Sequence, residues 1–107
     1  MPEGKKTRRE VLEEFVARDP DDAFTRYGLA MECMNGGDAA AADAQFRLLL
    51  ERNAGYVPGY LMYGQFLARE SRTDEAKRVF TQGILAAVEK RDAHAQSEME
   101  GLLSDLA

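Results

Sequence analysis

The sequence predicts an all-α fold, an α-solenoid of antiparallel helix pairs with about six helices. Three observations carry that expectation. Apolar residues recur at three- and four-residue spacing along the chain, and no useful stretch has the two-residue period of a strand. Tyr60 to Phe80 reads as two helices with a short polar break, so the pair must run antiparallel; Gly64 and Ala76 supply a small residue on each partner where the backbones meet. The same layout occurs once earlier in the chain.

The elements follow in order. Residues 1–6, with Pro2, Gly4 and charge but nothing to bury, read as a flexible N-terminal tail. Residues 7–107 read as one domain: a helix over 7–18, a first repeat over 21–54, a second over 56–90 and a capping helix over 92–106. Thr7 and Glu10 have capping-box spacing, and Val11, Leu12, Phe15 and Val16 form the buried stripe of the first helix. Asp19-Pro20-Asp21-Asp22 ends it and begins the second, expected over 22–34 with Phe24, Tyr27, Gly28 and Met31 on its packed face. After the turn Asn35–Asp38, an alanine-rich third helix over 39–52 packs through Ala42, Phe46, Leu49 and Leu50. The fourth begins at Val57 with Pro58 in its first turn and runs to Glu70, and the fifth spans Thr73 to Lys90. The last places Ala95, Met99, Leu102, Leu103 and Leu106 at helical spacing, with Gln96, Glu100, Ser104 and Asp105 opposite.

Composition narrows the function classes. A net charge of −5 with mixed signs disfavours a general nucleic-acid grip, which needs clustered cations. Lys5-Lys6-Thr7-Arg8-Arg9 reads as a solvated run. No apolar run approaches the ~20 residues of a membrane span. The amphipathic stretch from Glu10 to Arg18 lacks the continuous apolar segment of a secretory signal. A single cysteine, Cys33, forms no internal disulfide and fits a reducing compartment, so the expected location is cytoplasmic. His94 with Glu98 gives two ligands where zinc needs three or four, so no metal is expected. Cys33 and His94 lack an orienting third group, and Gly36-Gly37 lacks the Lys-Ser/Thr of a phosphate loop. No enzyme and no cofactor are expected. Met31, Met34, Met62 and Met99 either fill core gaps or furnish an adaptable surface.

Self-similarity is the strongest signal. Phe24-x-x-Tyr27-Gly28-x-x-Met31 is matched 36 residues on by Tyr60-x-x-Tyr63-Gly64-x-x-Leu67. Ala42-x-x-x-Phe46 is matched 34 residues on by Ala76-x-x-x-Phe80, the difference of two being assigned to a longer first turn. This pattern resembles the tetratricopeptide repeat (TPR), whose helix-turn-helix carries W-x-x-L-G-x-x-Y, then A-x-x-x-F, then P. The likeness spans about Asp19 to Lys90, and Leu12, eight residues before Pro20, makes the first helix look like the second helix of a truncated earlier repeat. More narrowly, the chain resembles small bacterial single-domain proteins with two repeats and a C-terminal helix. Tyr or Phe replaces the tryptophan, and Ala54 and Val88 replace the closing prolines, so the fifth helix is expected to run on.

The resemblance implies a right-handed superhelix whose first helices line a concave wall receiving a peptide or a partner's helix. By position, the wall would comprise Thr25, Leu29, Glu32 and Cys33 from the second helix, and Leu61, Gln65, Ala68 and Arg69 from the fourth. The function so implied is that of an adaptor or scaffold binding another protein, with self-association as a homodimer through the groove or end helices as the alternative. Chaperone-binding members grip a C-terminal carboxylate with lysine and asparagine. Thr25, Leu29 and Met62 stand at those places, so that clamp is not expected here.

Overall fold

The computed structural model describes residues 4–106. They form six α-helices and, among the described residues, no strand: α1 (Arg8–Arg18), α2 (Ala23–Asn35), α3 (Ala39–Arg52), α4 (Val57–Arg69), α5 (Thr73–Glu89) and α6 (Ala93–Asp105). Every expected boundary of these helices lies within a residue of the observed one. Residues 1–3 of the expected tail, and Ala107, lie outside the described residues; Gly4 to Lys6 are exposed, with Lys6 paired to Glu14. The chain divides into two compact units, one ending at Arg52 and one starting at Asn53.

The first unit holds α1, α2 and α3. Thr7 and Glu10 close the capping box: the Glu10 N–H donates to Thr7 Oγ1 at 3.1 Å, and the Thr7 N–H donates to Glu10 Oε1 at 2.9 Å. The bond from the Thr7 backbone first, and then the Thr7 side chain, holds the Glu10 carboxyl below the usual range. Of the expected stripe on α1, Val16 is buried and Val11 and Leu12 are half-buried, whereas Phe15 is exposed beneath the Arg18 guanidinium, 5.9 Å from its ring centre. Arg9 Nη1 donates to Asp38 Oδ2 at 2.8 Å, tying α1 to the turn before α3. Asp38 also accepts the Ala41 N–H, and these contacts, Arg9 first, hold its carboxyl below the ordinary range.

The second unit holds α4, α5 and α6, and glycine sets the spacing. A Cβ added at Gly64 would overlap the Phe80 ring. One added at Gly83 would lie 2.5 Å from Tyr60 Cβ and 2.6 Å from Met99 Sδ. Both glycines therefore mark places where a neighbouring side chain presses onto bare backbone. Ala76, Phe80, Leu67 and Met99 complete this core. α5 continues past the place of the closing proline to Glu89, as Val88 permits.

The internal repeat is regular, and here the structure corrects the expected register. α2 and α4 start at 23 and 57 and end at 35 and 69; α3 and α5 start at 39 and 73, an offset of 34 each time. The turns match too: Gly37 and Ser71, also 34 apart, both adopt positive φ, 80° and 61°. There is no two-residue insertion. The true counterpart of Tyr60-x-x-Tyr63-Gly64-x-x-Leu67 is Arg26-x-x-Leu29-Ala30-x-x-Cys33, and all four of these are buried. The stripe expected to be core lies two positions off this face. Phe24 is 75% exposed, and Tyr27, Gly28 and Met31 are only half-buried. The two registers compete because α2 carries two apolar stripes side by side, and the aromatic one imitates the motif better than the one containing an arginine.

Arg26 shows how a charged residue occupies an aromatic position. Tyr60 Oη donates to the Ala54 carbonyl, six residues back, at 2.7 Å. Arg26 Nη2 donates to the Pro20 carbonyl, also six residues back, at 3.1 Å, and its Nη1 donates to Gln45 Oε1 at 2.8 Å. Burial, with Arg52 next, pulls the Arg26 pKa down from its ordinary value.

The corrected register makes opposite demands at two glycines that look equivalent. Gly64→Ala should destabilise by about 1–3 kcal/mol through overpacking against Phe80. Gly28→Ala, whose Cβ would meet Leu12 Cδ2 at an ordinary 3.6 Å, should stabilise by about 0.5–1 kcal/mol by removing a helical glycine. Urea unfolding of the two variants reads both signs. The lowered carboxyl of Asp38 stabilises the fold above its ordinary pKa, and that contribution disappears as pH falls through the lower folded value. Asp38→Asn should therefore flatten the decline of Tm with acidification over that interval.

Candidate functional site

The eight residues expected along an inner wall divide sharply in the structure. In the first unit, Leu29 and Cys33 are 2% and 1% exposed. They belong to the core because they hold the places of Tyr63 and Leu67 in the 34-residue register, so they offer nothing to a partner. Thr25 is half-buried at the start of α2, its hydroxyl donating to Asp22 Oδ2 at 2.6 Å. Glu32 pairs with Arg8 at 3.5 Å on the edge of a shallow hollow of about 460 Å³, where Arg9, Asn35 and Gly36 also lie. Both cations of that hollow already face carboxylates, Arg8 facing Glu32 and Arg9 facing Asp38 and Glu13, so its charge is balanced internally.

The 34-residue register pairs Tyr27, Met31, Met34 and Asn35 of α2 with Leu61, Gln65, Ala68 and Arg69 of α4. With Phe24, the first three form a stripe of large apolar side chains along one side of α2. Phe24 is exposed and the others are half-buried. The methionines thus separate by role: Met31 and Met34 reach the surface of α2, while Met99 is wholly buried. Equal spacing of the Asn35–Asp38 and Arg69–Arg72 turns, rather than the aromatic pattern, is the signal that would have found this register.

In the second unit three of the four residues expected on α4 line a pocket shared with α6. Gln65, Ala68 and Arg69 form one wall of a pocket of about 220 Å³. Leu102 and Asp105 of α6, with Leu106 just beyond its end, form the other, and Phe80 of α5 lies at its base. Leu61, a turn earlier on α4, is half-buried and does not line it. The lining is mainly apolar, with Gln65, Arg69 and Asp105 as its polar members. All six wall residues belong to the final turns of α4 and α6 or their immediate ends, so the two helices bring the same end to the pocket.

The remaining sequence candidates stay apart. Cys33 is interior in the first unit, with its thiol pKa pushed up by burial and partly offset by Arg9. His94 is exposed on α6, its Nε2 3.9 Å from Glu98 Oε1. Among the described residues no three His, Cys, Asp or Glu side chains gather as metal ligands, and no helix is long and apolar enough to cross a membrane.

No family model matches the chain. It is 30% identical over 99 residues to the TPR repeat-containing protein PA0015 of Pseudomonas aeruginosa, spanning 91% of this chain and 92% of that protein. Among solved structures, a tetratricopeptide repeat domain protein from Salinibacter ruber matches with a TM-score of 0.78 and 36% identity, over 82% of this chain and 89% of that one. Protein BPP2914 from Bordetella parapertussis, at 22% identity, shares the fold with a TM-score of 0.79 over 95% of this chain and 89% of its own.

The burial of Cys33 has a direct readout. A thiol both shielded and held in its protonated form reacts slowly. Ellman's reagent should modify the native chain only as fast as it opens, and the urea-unfolded chain at once. Rapid labelling of the native protein would place Cys33 at the surface after all.

Proposed function

The chain belongs to the tetratricopeptide repeat family, an all-α repeat fold of protein–protein interaction, and we propose that it is an adaptor whose second unit binds a segment of another protein between α4 and α6. The observation that carries this reading is the pocket of about 220 Å³, apolar at its base and polar at its rim. Small-molecule sites usually occupy roughly 300–1,000 Å³. This one suits one or two apolar side chains of a docked segment. Ala68 and Leu102 supply apolar wall, and Gln65, with its amide, can hydrogen-bond the segment's backbone.

The stripe Phe24, Tyr27, Met31 and Met34 on α2 is a second contact surface of the same character, since methionine side chains repack around different partners. No carboxylate clamp is involved. In the corrected register the places once assigned to Thr25 and Leu29 pass to Tyr27 and Met31, and none of the four is lysine or asparagine. A short pocket with few anchors implies affinities of about micromolar order.

Ala68→Glu sets a carboxylate against the apolar wall and should weaken partner binding at least about tenfold, the cost of desolvating an unpaired charge. Leu85→Glu, at an exposed position on α5, serves as the control and should leave binding intact. Affinity capture from cell extract with both variants, alongside circular dichroism to verify folding, makes the measurement. Retention of every partner by folded Ala68→Glu protein would sink the assignment.

A further inference from the structure

The electrostatics of this pocket specify its occupant further, on the footing of the docking reading above. A helix C-terminus carries partial negative charge and ordinarily ends in cations. α1, α3 and α4 conform, with Arg18, Arg52 and Arg69 in their last turns. The last turns of α2, α5 and α6 have no basic residue, and that of α6 contains Asp105, which lines the pocket. Along its whole length α6 carries Glu98, Glu100 and Asp105 and no lysine or arginine. α4 has no carboxylate at all, and its one charged residue is Arg69. The walls therefore have opposite polarity around an apolar base, and the α6 wall combines a carboxylate with a helix end that repels it.

We infer that the pocket takes an amphipathic segment of another protein with an apolar anchor, flanked by Lys or Arg on the side that meets α6. A cation there neutralises Asp105 and the α6 C-terminus together. Arg69 on the other wall disfavours a second cation on the opposite flank. Charge complementarity thus orients the segment as well as selecting it.

The test uses the purified full chain and two fluorescein-labelled synthetic peptides of equal length with the same leucine pair, one flanked by lysines and one by glutamates. The lysine peptide should bind about threefold to tenfold more tightly at low salt, as two or three exposed charge pairs would give, and the advantage should shrink as salt rises. Asp105→Lys should remove that preference while Asp43→Lys, on α3, leaves it. Equal binding of both peptides, abolished in each case by Ala68→Glu, overturns the charge inference and leaves the docking site standing. Peptide binding insensitive to Ala68→Glu overturns both. No binding of the lysine peptide at about millimolar concentration overturns the inference. So does a dilution-sensitive dimer in sedimentation that Ala68→Glu abolishes, which would make a second copy the occupant.

Discussion

The ring of Phe80 lies where a side chain at position 64 would begin, and the second unit is built around that exclusion. With bare backbone at Gly64, α4 and α5 approach closely enough for Phe80 to be almost completely buried. Gly83 repeats the device on the next turn of α5, admitting Tyr60 and Met99 to the same small volume. Through Met99 this packing draws α6 in, and α6 supplies half of the pocket. The pocket is thus a by-product of core geometry: α4 and α6 converge on α5, and the last turns of the two leave a hollow with Phe80 at its base.

The first unit solves the same problem with other residues. Ala30 replaces Gly64 and Leu49 replaces Gly83, so less room remains at the start of α2 for a ring such as Tyr60. A buried guanidinium stands in that place, fixed by the Pro20 carbonyl and Gln45. Its Nε has no hydrogen-bond partner, which sets an energetic cost against the two bonds it makes. Tyr and Arg thus do one job, fastening the start of a helix to the loop before it.

Most of the fold was legible because helix-forming signals here are local. The capping box, the Gly-rich turn, Pro58 and the alanine run mark the helix limits without reference to tertiary contacts. The register of α2 was not legible, since Phe24-x-x-Tyr27-Gly28 has the better-looking motif while the buried face reads Arg26-x-x-Leu29-Ala30. Hydrophobic patterning ranks phenylalanine above arginine for burial, and only the carbonyl of Pro20 and the amide of Gln45 reverse that order. On α4 aromatic and motif positions coincide, and Gln65, Ala68 and Arg69 line a pocket whose other wall is α6 rather than α2. The α6 wall escaped notice because Leu102 and Leu106 read as ordinary core positions of a capping helix.

The acceptor that holds Arg26 is a main-chain oxygen, and so is the one that holds Tyr60. A carbonyl is present whatever amino acid provides it, so any long side chain with a terminal N–H or O–H can make the fastening. The first motif position therefore admits chemically unrelated occupants without loss of architecture.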